Sequence, residues 1–92
     1  MKVTEVRVRL VKKDEVREKL KAFADITLDN VFAVHEITVI DGEKGLFVAM
    51  PSKKSSDGSF KDIAHPIESS LRREISEKVL SKYHEISSLA QD

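Results

Sequence analysis

The sequence predicts an α+β fold: a twisted antiparallel β-sheet of about five strands with one long C-terminal amphipathic helix laid on it. Three observations lead there. Residues 3–11 and 20–28 alternate apolar and polar side chains with the period of two that a half-buried strand needs. The later segments are separated by pairs rich in Asp, Asn and Gly, the residues of tight turns. From Ser69 onward the apolar period changes to 3.6. Ninety-two residues make one domain, read as 1–92 with a β-sheet region over 1–66 and a helix over 67–88. A fold of this size buries only about 60–65% of the surface its unfolded chain exposes, so its core is thin.

The first strand places Thr4, Val6, Val8 and Leu10 on one face and Glu5, Arg7 and Arg9 on the other. Lys12 to Lys19 is polar except for Val16 and reads as a long connector or a helical turn. Next, Leu20, Ala22, Ala24, Ile26 and Leu28 point inward, with Phe23 breaking the polar side, and Asp29-Asn30 suits a hairpin turn. Val31 to Asp41 is ambiguous. Phe32, Val34, Thr38 and Ile40 share a face in a strand, while Ala33, Val34, Ile37 and Ile40 would line up in a helix. Six of its eleven residues are Val, Ile or Thr, which favours strand. After the turn Asp41 to Gly45, Leu46 to Met50 reads as a buried fourth strand stopped by Pro51. Ser52 to Ser59 reads as a polar loop, and Phe60 to Ala64 as a short fifth strand ended by His65-Pro66. The helix carries Leu71, Ile75, Val79, Tyr83 and Ile86 in one stripe flanked by Leu80, with Ser69 or Ser70 as its cap.

Sixteen basic residues balance sixteen acidic ones, which argues against a bulk polycation. The charge is nevertheless segregated: +4 over residues 1–21, −4 over 22–50, +2 over 51–73 and −2 over 74–92. A focused basic patch therefore stays open. No apolar run approaches the roughly 18 residues of a membrane span, so membrane insertion is not expected. The alternating N-terminus lacks the unbroken apolar stretch of a signal peptide, which makes the cytoplasm the default address. Zero cysteines exclude disulfides, thiolate zinc sites and cysteine nucleophiles.

Three scattered histidines, His35, His65 and His84, lack metal-ligand spacing, and structural roles suit His35 and His84 better. There is no nucleophile elbow, and Gly42, Gly45 and Gly58 form no phosphate-cradling loop. No catalytic residue, metal or cofactor is expected, and an enzyme is the weak hypothesis. More informative are Lys53 and Lys54, in a run of serines, and Arg72 and Arg73, just after Ser69-Ser70. Two arginines in a helix's first turn are electrostatically misplaced unless an anion sits there. The competing reading pairs them with Glu68, Glu74 or Glu77 on a solvated face. Phe32, Phe47 and Phe60 are as suited to a core as to base stacking, so the stacking signature of RNA-binding sheets is not visible.

The chain resembles the SpoVG family of septation and stage V sporulation proteins. The resemblance is carried by Val3-Thr4-Glu5-Val6-Arg7-Val8-Arg9, Ile26-Thr27-Leu28-Asp29-Asn30, Val34-His35-Glu36-Ile37 and Val39-Ile40-Asp41-Gly42. Its densest stretch is Gly45-Leu46-Phe47-Val48-Ala49-Met50-Pro51-Ser52-Lys53-Lys54, followed by Asp57-Gly58 and Asp62-Ile63-Ala64-His65-Pro66-Ile67. Two departures stand out: a connector at Lys12 to Lys19 that is long and lacks a turn glycine, and Lys54 where an arginine is common. The resemblance implies a small cytoplasmic regulator that binds DNA and RNA and affects septation, sporulation or related gene programmes. It also implies a homodimer, for which exposed sheet edges are the expected contact. The expected phosphate contacts are Lys53, Lys54, Arg72 and Arg73, with Lys61 as an addition. The alternative is a protein-interaction module of the division or sporulation machinery without direct nucleic-acid contact, using the acidic 22–50 region and the strand edges.

Overall fold

Among the described residues six strands and one helix form in the order β1 (Val3–Leu10), β2 (Leu20–Leu28), β3 (Phe32–Gly42), β4 (Gly45–Ala49), β5 (Ser52–Lys54), β6 (Phe60–Asp62) and α1 (Ser69–Leu89). The computed structural model describes residues 1–11 and 19–89, so the connector expected at Lys12 to Lys19 lies outside the described residues except for Lys19. β1 to β4 make one antiparallel meander in sequence order, and β5 pairs with β6 in a separate hairpin. The ambiguous segment at 31–41 is strand. The fifth strand does not join the main sheet, and part of the expected loop, Ser52–Lys54, is its partner. That hairpin closes because its backbone is fully engaged at both ends. Ile63 N–H donates to Pro51 O at its base, and Ser55 N–H donates to Ser59 O at its tip, where Gly58 takes φ +89°. The Asp29-Asn30 turn has the expected geometry: φ is +50° and +56°, and Val31 N–H donates to Leu28 O at 3.0 Å.

Bulges correct three of the expected strand faces. Thr4 is extra between the pairs Val3↔Leu28 and Glu5↔Thr27, so Val3 joins the buried side and Thr4 is exposed. The Thr4 hydroxyl donates to Thr27 O and accepts the Asn30 N–H, which holds the bulge against the β2–β3 turn. Lys21 is extra between Leu20↔Ile40 and Ala22↔Val39, which turns Leu20 away from the side it was expected to share with Ala22. His35 and Glu36 together face Asp25, because Ala24 pairs with Ile37 and Ile26 with Val34. Glu36 sits at φ +62°, and its N–H donates to Asp25 Oδ1 at 3.3 Å. Val34, Ile37 and Val39 are consequently buried together, while Thr38 and Ile40 turn to the opposite face instead of sharing one with Val34.

The helix packs across one side of the meander against β1, β3 and β4. Ile75 and Val79 are buried, with Leu71, Leu80, Tyr83 and Ile86 partly buried beside them, as the 3.6 period requires. Among the described residues every buried side chain is aliphatic or Met: Val3, Val8, Ala22, Ala24, Ile26, Leu28, Val34, Ile37, Val39, Met50, Ile75 and Val79. The helix begins one residue earlier than expected of a serine cap. Glu68 holds the cap position, since its carbonyl accepts the first helical bond from Arg72 N–H, and the Ser70 hydroxyl donates to its carboxylate. At the start of β1, Val3 N–H donates to Glu74 Oε2 at 2.6 Å and Lys78 Nζ donates to Val3 O at 2.9 Å. The helix thus satisfies both backbone groups of Val3 on an edge strand. The Val3 N–H, with Lys78 nearby, holds the Glu74 carboxyl below the usual carboxylate range.

Candidate nucleic-acid interface

Register determines what the hairpin presents. Lys53 is paired with Lys61, and Lys54 with Phe60, so the first two ammonium groups share one hairpin face and Lys54 shares the other with Phe60. Like charges directly opposite one another are unfavourable in a ladder, and an anion bound between them would reverse that. All three lysines are exposed. They border a groove of about 590 Å³, together with Ser55, Ser56, Ile63 and two acids, Asp57 and Asp62. The Ser59 hydroxyl, and then its N–H, hold the Asp57 carboxyl below the usual range, so that acid is committed to the turn.

Arg72 and Arg73 stand exposed on the first turn of α1. The groove bordered by the three lysines does not include them among its described lining residues. The structure therefore gathers Lys53, Lys54 and Lys61 at one groove, with the two arginines carried on the helix. Among the described residues, none of these five cations makes a salt bridge. The solvated-face pairing with Glu68 or Glu74 is not what forms: Glu68 receives the Ser70 hydroxyl, Glu74 receives Val3 and Lys78, and Arg72 reaches Pro66 O. Glu68 at the cap also supplies the negative charge that two first-turn arginines lack.

The aromatics are where sequence reasoning fell short. None of the four Phe is in the core: Phe60 is 70% exposed, Phe32 54% and Phe47 47%, and Phe23 is half-buried. Phe23 lies on the sheet face away from the helix, with the Arg9 guanidinium 5.9 Å from its ring centre. Phe60 faces the same side across a groove of about 580 Å³ lined also by Lys19, Leu20, Thr38, Ile40 and Ser52. The signal for this face was present in the sequence, where Phe23 interrupts the polar side of its strand and Phe60 comes directly after a lysine-bearing polar run.

The histidines are dispersed. His35 Nδ1 lies 3.2 Å from Asp25 Oδ1, His65 Nδ1 lies 3.3 Å from Pro66 O, and His84 meets the Tyr83 ring edge-on at 5.6 Å. Among the described residues, no group of three or more His, Asp or Glu gathers as metal ligands would.

Comparison with known proteins places these features in a wider set. The model of the family described as SpoVG matches residues 1–85. A protein of Geobacillus thermodenitrificans named "Putative septation protein SpoVG" is 53% identical over 92 residues, covering 100% of this chain and 93% of its own length. Its namesake in Bacillus licheniformis is 56% identical over 86 residues, covering 94% of this chain and 86% of its own. That of Staphylococcus aureus is 50% identical over 92 residues, covering 100% and 89%.

Proposed function

The chain belongs to the SpoVG family, and we propose that it is a small bacterial regulator that binds nucleic acid, DNA and/or RNA, and serves septation, sporulation or related gene expression. It acts as a binding module rather than an enzyme, in the cytoplasm. The observation that carries this reading is the hairpin: Lys53 and Lys61 opposed across a two-stranded ladder, Lys54 beside them, and no acid paired with any of the three among the described residues. In a chain of zero net charge, such a cluster is a focused phosphate seat rather than a general polycation. The names of the relatives support the septation role.

Salt titration tests it. If about four to six phosphates are neutralised by a dimer, log K falls with log salt at a slope of roughly −3 to −5. A slope near zero, or no binding at low salt, overturns the reading.

The competing reading, a protein-interaction module without nucleic-acid contact, is favoured by a different surface. Phe32 and Ile67, 54% and 96% exposed, border an apolar pocket of about 340 Å³ with Met1, Met50 and Leu71. Self-association by a sheet edge belongs to the proposal as well. Among the described residues β4 pairs only with β3, and the start of the other edge strand, β1, is already engaged by Glu74 and Lys78. No helix among the described residues is long and apolar enough to cross a membrane.

A further inference from the structure

We infer that Phe60, in a groove that Phe23 also lines, is a stacking platform for unpaired bases, and that the ligand of this face is single-stranded nucleic acid. The inference rests on the nucleic-acid reading and narrows its substrate class. A large aromatic side chain on a three-residue strand, 70% exposed, contributes little to the core. Its cross-strand neighbour is Lys54, so an aromatic face and a cation are presented side by side on one surface. Among the described residues no other ring stacks on Phe60, Phe23 carries the Arg9 guanidinium 5.9 Å from its ring centre, and Lys19 lines the groove.

The chemistry of the occupant is set by that combination. A base entering the groove meets Phe60 and the apolar side chains of Leu20 and Ile40, while its phosphates lie near Lys54 and Lys19. Bases within a duplex are stacked on one another and cannot offer their faces to such a groove, whereas unpaired bases can. The other exposed aromatic cluster lacks this chemistry. The pocket beside Phe32 is lined by apolar side chains and His65, and the nearest described cation is Arg72, which donates to the carbonyl of Pro66 rather than sharing a ladder position with the ring.

The test uses the full chain, its Phe60→Ala and Phe60→Tyr variants, and two fluorescent probes: an oligothymidine of about twelve nucleotides and a duplex of the same length. Binding is measured at several salt concentrations. The expected result is that Phe60→Ala weakens single-strand binding by about 5- to 100-fold with an unchanged salt slope. Duplex binding stays within about twofold, because phosphate contacts position either ligand alike. Phe60→Tyr keeps the ring and restores single-strand affinity. A 2-aminopurine placed in the strand is quenched by the parent protein and not by Phe60→Ala.

Three results overturn the inference while leaving the nucleic-acid reading intact. These are a Phe60→Ala variant that binds the single strand as tightly as the parent, an equal loss on both probes, and a change of oligomeric state in that variant, which would make the face a contact between copies of this chain. A parent that binds neither probe at low salt overturns both readings together. Circular dichroism on the variants confirms that an exposed residue has been replaced in an intact fold.

Discussion

Glu74 and Lys78 stand one turn apart on α1, and each is spent on the backbone of Val3. Because the Glu74 carboxyl titrates lower in the folded chain than in the unfolded one, its stabilisation is complete above the ordinary Glu value of about 4.3 and is lost as pH falls through its depressed folded value. Glu74→Gln should therefore unfold at a lower temperature at neutral pH and should lose less stability than the parent on acidification, as read by thermal melts from neutral to acidic pH. The basic residues make the opposite kind of prediction. Replacing Lys53 and Lys61 by Ala should weaken nucleic-acid binding by about 1–3 kcal/mol on every sequence and flatten the salt slope by about one per lost contact. The melting temperature should hold or rise slightly, since a like-charged cross-strand pair disappears. Arg72→Ala with Arg73→Ala separates the two candidate surfaces. A comparable loss of affinity places the helix start in the interface, and parent-like binding with the parent's slope removes it.

At the scale of elements, the bulges decide what each strand face carries. Asp25 holds the β3 bulge by accepting the Glu36 N–H, with His35 Nδ1 3.2 Å from the same oxygen. Asp25→Ala should cost about 1 kcal/mol in denaturant melts by removing that acceptor. Glu36→Gly should be stabilising by up to ~1 kcal/mol, because a residue at φ +62° without a Cβ is relieved of its left-handed penalty. These bulges also explain how much of the fold was legible. Period-two alternation disclosed β1 and β2, β-branched content favoured β3, a short apolar run marked β4, and the 3.6 period disclosed α1 with its stripe. A bulge leaves propensity unchanged and only inverts the in-and-out parity of the residues after it. Val34 and Ile37, three apart, came onto one face through the bulge at His35-Glu36, and that same spacing is what made the segment resemble a helix. In the β5–β6 hairpin the sequence disclosed the strand at Phe60 but hid its partner, because the polar Ser52–Lys54 buries nothing and only backbone pairing defines it. Of the candidate site, the cations and the helix position of the arginines were legible, but the pairing of Lys53 with Lys61 and of Lys54 with Phe60 was not, and for the aromatics the sequence left core and surface equally open.

For the molecule as a whole, the core is a single aliphatic layer between the helix and one side of the meander. Ile37→Ala, at a fully buried position, should cost about 2–5 kcal/mol, a large share of the stability of so small a domain, measured by urea unfolding. With β4 as the edge available for self-association, sedimentation equilibrium at micromolar concentration should give twice the 10.4 kDa chain mass, and a clean monomer would refute the dimer. The Val3 contacts carry one more consequence, since they join residues 71 and 75 positions apart in the chain. The meander can assemble as it leaves the ribosome, but its aliphatic side stays bare until the 21 residues of α1 have been added. About 40 residues follow β4 before α1 is complete at Leu89, and at ~5–20 residues per second that interval lasts roughly two to eight seconds. The nascent sheet is then a hydrophobic surface in search of a cover, and holdase chaperones should find it during synthesis. A chain cut short before Ser69 never closes that window and should collect in the insoluble fraction.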